Sequence, residues 1–134
     1  MSRLALASIL GCSLVLAALP AFAHHSFSAQ FDAKKPLKMT GTVTKVEWMN
    51  PHSWFYVDVK DAAGAVTNWG FELASPNLLL RRGWTPKTLE AGDVVTVEAF
   101  HALDGSNMAN ARVIVMTSTG ETLLGPASQS GSAQ

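Results

Sequence analysis

Hydrophobic and polar residues alternate along most of this chain, in short runs separated by turn residues. Residues 53–60 show the pattern most plainly: Phe55, Val57 and Val59 alternate with Trp54, Tyr56 and Asp58. A period of two predicts a half-buried strand. Residues 66–73 repeat it with Thr67, Trp69, Phe71 and Leu73, and Asp61-Ala62-Ala63-Gly64 between the two runs predicts a turn. Matching faces sets the register. Val57 is expected opposite Trp69 and Phe55 opposite Phe71, inside. Outside, Trp54 is expected to face Glu72, Tyr56 to cover Gly70, and Asp58 to face Asn68. Residues 37–49 predict an earlier strand whose apolar phase slips, from Leu37, Met39, Gly41 and Val43 to Val46 and Trp48. Such a slip predicts a bulge or strong coiling between Gly41 and Lys45.

The next stretch changes period. Ser75 is placed as an N-cap, Pro76 suits the first helical position, and Gly83 suits a left-handed cap behind Arg81 and Arg82. A short helix over 75–83 is expected. The arginine pair is read as compensating the helix dipole rather than as an anion site. Residues 94–100 and 109–116 predict two further strands around the Asp104-Gly105-Ser106-Asn107 turn. Residues 24–36 read as an arm carrying Phe27 and Phe31, with one helical turn at most before Pro36. Residues 119–134, rich in Ser, Gly and Ala, read as a disordered tail. The expected fold is all-β with one short helix: a five-stranded OB-like barrel over residues 37–118, in the order β1-β2-β3-α-β4-β5.

The first 23 residues read as a signal peptide. Arg3 precedes an uncharged apolar run, and Ala21-Phe22-Ala23 has the small-x-small form of a cleavage site. Cleavage there leaves His24 as the new N-terminus. A retained membrane span would want a longer run, and a lipoprotein reading through Cys12 leaves too short an apolar core before it. Removing 23 of 134 residues leaves 111, enough for one domain. The single cysteine, Cys12, departs with them, so no disulfide, thiolate metal site or cysteine nucleophile is expected. The ten basic and ten acidic residues show no basic patch, which argues against nucleic acid. A periplasmic or secreted location is expected, with no membrane span after cleavage.

Candidate chemistry gathers where OB barrels bind ligands, on the face of strands two and three and the loops beside it. Asn50, Trp54, Tyr56, Glu72, Asp104 and Asn107 are the expected ligand face. The four histidines, His24, His25, His52 and His101, are the candidate metal ligands. A free N-terminal histidine offers an amine and an imidazole to one metal, and an all-nitrogen set suits copper best. About twelve extended residues span some 40 Å, so the arm reaches that face. The competing reading makes His52 a turn residue bonded to backbone and His24 and His25 a polar chain end. The tryptophans are read mainly as core, with Trp54 facing out. Catalysis is not expected. Ser53, Ser75 and Ser106 lie in no nucleophile context, and Asp58 and Glu72 are read as solvent-facing strand partners. A metal-independent interaction with an envelope protein or peptide at the same face is the alternative function.

Taken together, His24-His25-Ser26-Phe27, Glu47-Trp48, Asn50-Pro51-His52, Ser75-Pro76-Asn77 and Arg81-Arg82-Gly83-Trp84 resemble a family of small exported proteins of Gram-negative bacteria, classed as a domain of unknown function. The resemblance implies a secreted or periplasmic OB-like domain and carries over no catalytic residue.

Overall fold

The computed structural model describes residues 27–124. The expected signal segment, His24, His25 and residues 125–134 lie outside them. The described chain is mostly β, with two short helices. Helix α1 (Phe27–Gln30) leads directly into β1 (Phe31–Glu47). Strands β2 (Trp54–Lys60) and β3 (Val66–Glu72) follow, then helix α2 (Pro76–Arg81). Strands β4 (Val94–Ala102), β5 (Met108–Met116) and β6 (Thr122–Leu124) complete the order. The sheet runs β3-β2-β1-β4-β5-β6 with antiparallel neighbours, and β5 makes an additional parallel pairing with β3. The pairings therefore form a ring through the first five strands.

The β2–β3 register is the one the alternation predicts, with Val57 opposite Trp69, Phe55 opposite Phe71 and Trp54 opposite Glu72. The phase slip in the first strand is a bulge between Val43 and Lys45. It lets β1 serve two neighbours: residues 42–47 pair with β2, residues 31–42 pair with β4, and Thr42 touches both. The core lies between these faces. Phe55 and Phe71 stack with centroids 5.2 Å apart, and Leu79, Trp84, Val97 and Ile114 pack with them. Helix α2 has the expected ends. The Ser75 hydroxyl accepts a hydrogen bond from the Leu78 N–H, and Gly83 sits at φ +85°.

Three expectations need correction. Among the described residues there are six strands, not five, and two helices, not one. The first strand starts at Phe31 rather than Leu37, because Phe31 is buried and pairs with Ala102, while Pro36 pairs with Phe100. Asp32 to Lys35 bulge out between those two pairs, so their polar character does not mark the end of the strand. Finally, Thr122–Leu124 pairs with β5 where only a tail was expected. Among the described residues no helix is long and apolar enough to cross a membrane.

Candidate functional site

The corner between β1 and β2 carries Asn50, Pro51 and His52, with a cis Asn50–Pro51 peptide. Backbone bonds hold its end. The Ser53 N–H donates to the Ala74 carbonyl at 3.0 Å, and the Leu73 N–H donates to the Ser53 carbonyl at 2.8 Å. Ser53 is fully buried and its side chain takes the inward phase shared with Phe55. Its neighbours His52 and Trp54 consequently stand on the outer face, beside Glu72.

Glu72 is the unexpected member. It takes the outward phase, yet it is only 5 % exposed. The reason is the parallel β3–β5 pairing, which sets Asn110 directly beside it. The His52 Nδ1–H donates to Glu72 Oε1, and the Asn110 side-chain amide donates to Glu72 Oε2 at 3.3 Å. Both carboxylate oxygens are therefore satisfied, as a buried charge requires. The reading of Glu72 as solvent-facing is overturned. In the neutral imidazole, donation from Nδ1 leaves Nε2 as the lone-pair nitrogen. The His52 side chain is 44 % exposed, and Nε2 has no hydrogen-bond partner among the described residues.

Pairing extends this corner into a row. Glu47 lies opposite Trp54, Trp54 opposite Glu72, Glu72 opposite Asn110, and Asn110 opposite Phe100. Paired residues share a face, so these five side chains cross five strands on the outer surface. The adjacent row holds Lys45, Tyr56, Gly70 and Met108. A Cβ on Gly70 would stand 2.5 Å from Met108 Sδ and 3.1 Å from Tyr56 Cε1, so the glycine lets the thioether and the phenol ring close over it. The Tyr56 hydroxyl donates to Glu47 Oε2 at 3.0 Å, and Lys45 pairs with the other oxygen. Lys45 and then Tyr56 hold the Glu47 carboxyl below the ordinary glutamate range. Burial, then the bond to Glu47, pushes the Tyr56 phenol up.

Of the expected ligand face, Trp54, Tyr56 and Glu72 come together, with Asn50 exposed at the corner beside them. Asp104 keeps to its own loop, whereas Asn107 reaches β3 through its backbone. Asp104 accepts from the Ser106 N–H at 2.9 Å, and bonds from Ser106 hold its carboxyl below the ordinary range. Asn107 offers its backbone carbonyl to the Gly70 N–H at 3.0 Å. His101 is on the opposite phase. It pairs with the buried Ala109, bonds the Ser106 carbonyl through Nε2 at 2.8 Å, and lies against Trp69. His52 and His101 are not brought together, and among the described residues no three His, Cys, Asp or Glu side chains converge as a metal site. Sequence reasoning missed Asn110, Glu47 and Met108. Asn110 had a faint signal, a polar residue between the apolar Ala109 and Ala111, but its partner is 38 residues away.

Residues 12–111 match a family of unknown function, DUF6152. The chain belongs to that family. The match covers β1 to β4 and β5 as far as residue 111, so the corner, Glu72 and Asn110 all fall within the DUF6152 region. No curated protein and no solved structure matches the chain.

Proposed function

We propose that this DUF6152 protein is an exported, periplasmic binding module without catalytic activity, built on an OB-like barrel, that holds one copper ion through His52 and the N-terminal histidines. The carrying observation is the buried Glu72 carboxylate bonded to Nδ1 of a half-exposed His52. A carboxylate behind an imidazole is how metal-binding histidines are oriented and made more basic. The ring of strand pairings supports the OB-like reading, with α2 between β3 and β4.

The position of the chain's start supports the N-terminal ligands. Phe27 rests edge-on against Phe100, centroids 5.6 Å apart. Phe100 shares the row with Asn110 and Glu72, so two strand spacings of about 4.8 Å separate it from the Glu72 position. His25 precedes Phe27 by two residues and His24 by three, which gives a reach of about 7 to 11 Å of extended chain before the side chain is counted. The free amine and imidazole of His24, with His25 and His52, make an all-nitrogen donor set suited to Cu(II). His101 is left out, because its Nε2 is engaged and its face is the other one.

The test is a Cu(II) titration of the mature protein beginning at His24, beside a form extended by one residue. Tight one-to-one binding that is lost on extension, and weakened at least tenfold by His52→Ala or Glu72→Gln, is the expected result. Equal and weak binding in every form would make the histidines bystanders. The second reading, a metal-independent site for an envelope protein or peptide, would then stand. It is favoured by the half-exposed Trp54 and Tyr56 side by side on the outer face. Enrichment of one envelope protein that survives chelator and is lost in Trp54→Ala would establish it.

A further inference from the structure

The middle of β4 is bordered by irregular pairing on both sides. Towards β1, the five-residue step from Phe31 to Pro36 lies opposite the two-residue step from Ala102 to Phe100. Towards β5, Glu98 pairs with Val113 and Ala99 with Ala111, so Arg112 is an extra residue with no partner opposite. Bulges of this kind bend a strand and re-aim a side chain. Between them lies a groove of about 420 Å³ lined by Pro36, Leu37, Ala99, Phe100, Arg112 and Val113, with Lys38 and Glu98 at its edge.

The groove is apolar except for its charges, and the charges are unbalanced. Lys38 is answered by Glu98 at 3.1 Å. The Arg112 guanidinium lies 4.6 Å from the Phe100 ring centroid, a cation–π contact. It has no carboxylate within ion-pair distance among the described residues. Among the residues that line the slot, two cations, Lys38 and Arg112, stand against one carboxylate, Glu98. A guanidinium over an aromatic ring still has N–H groups left to donate to a carboxylate. The volume is at the low end for small-molecule sites, about 300 to 1,000 Å³, so the occupant is short.

We infer that this groove binds a free medium-chain carboxylate, its apolar chain along Leu37, Phe100 and Val113 and its head group on Arg112. The site adjoins the outer row at Phe100 and requires no metal. It explains why an arginine occupies an unpaired bulge position in a strand whose only other polar residue is Asn110.

The probe is octanoate, titrated with chelator present into the mature protein and followed by amide NMR. One-to-one binding is expected, with shifts concentrated at Leu37, Ala99, Phe100 and Val113. The uncharged octanol and the cationic octylammonium are expected to bind at least tenfold more weakly, a comparison that needs no variant. Arg112→Gln is expected to reduce octanoate affinity at least tenfold while leaving the amide spectrum folded. Octanol binding as tightly as octanoate would overturn the assignment of Arg112, and shifts spread over the surface or centred elsewhere would overturn the site. Loss of copper binding in the preceding titrations leaves this result untouched, since the octanoate experiment is run without metal.

Discussion

Tyr56 and Glu47 are tied by one hydrogen bond, and each changes what the other's proton costs. The Glu47 carboxyl is held down, first by Lys45 and then by the Tyr56 hydroxyl. The Tyr56 phenol is held up, first by burial and then by Glu47. The signs for stability are opposite. A depressed carboxyl contributes stability above the ordinary glutamate range, and that contribution is lost as pH falls through its folded value. A raised phenol contributes below the ordinary tyrosine range and loses it as pH rises through the folded value. Both groups lie at the surface, so salt screens the pair and the stability involved is small. The titration itself is the useful readout. By side-chain carboxyl NMR, Glu47 is expected to titrate below the ordinary glutamate range. Tyr56→Phe is expected to raise its midpoint part of the way back, because Lys45, the larger cause, remains. An unchanged midpoint in Tyr56→Phe would remove the hydroxyl from the network that supports the outer face.

Two glycines show how closely the strands approach one another, and they do not predict the same cost. At Gly41, where β1 passes from β4 to β2, an added Cβ would stand 2.3 Å from the Asp58 carbonyl oxygen and 2.7 Å from Val57 Cγ1. A backbone carbonyl in a sheet ladder has nowhere to go. At Gly70 the nearest atom is Met108 Sδ, the far part of a flexible side chain. Overpacking typically costs about 1–3 kcal/mol. Gly41→Ala is expected at or above the top of that range and Gly70→Ala near the bottom, measured by urea denaturation with unchanged m-values. Equal costs would mean that the β1–β2 approach is soft. The same strands show what a sequence can reveal. The β2–β3 register was legible because Phe55, Val57 and Phe71 alternate in step, and α2 because Ser75, Pro76 and Gly83 mark its ends. The start of β1 was not, since Lys34, Lys35 and Pro36 look like a polar arm until Ala102 is known to pair with Phe31. Nor was the burial of Glu72, which depends on Asn110 arriving from another strand. Local alternation reports which side a residue faces. It does not report what covers that side.

The ring closes through β3 and β5, and a strand of three residues, β6, covers the edge that this closure leaves open. Strand β5 meets β3 only from Met108 to Asn110, so the far half of that edge would present unpaired backbone. Strand β6 covers it at Ile114 and Val115. Leu124 is buried in the same core as Ile114, and the Leu123 carbonyl receives the Trp84 indole N–H at 3.0 Å. Trp84 follows the Gly83 cap of α2, so β6 links the helix to the opposite side of the ring. The loss expected from ending the chain at Gly120 follows from these parts. Removing a buried leucine side chain costs about 2–5 kcal/mol, and exchanging the indole bond to the Leu123 carbonyl for one to water costs about 0.5–1.5 kcal/mol more. For a domain near 100 residues each kcal/mol lowers the melting temperature by about 4–8 °C. The shortened chain is therefore expected to melt more than about 10 °C below the parent, and its Trp84 fluorescence to shift to the red as water reaches the ring. A melting temperature within a few degrees of the parent, with unshifted emission, would show that the first five strands close without β6. The ring of the first five strands would then be self-sufficient, and β6, which lies beyond the family match at residues 12–111, would be a strand that stability does not need.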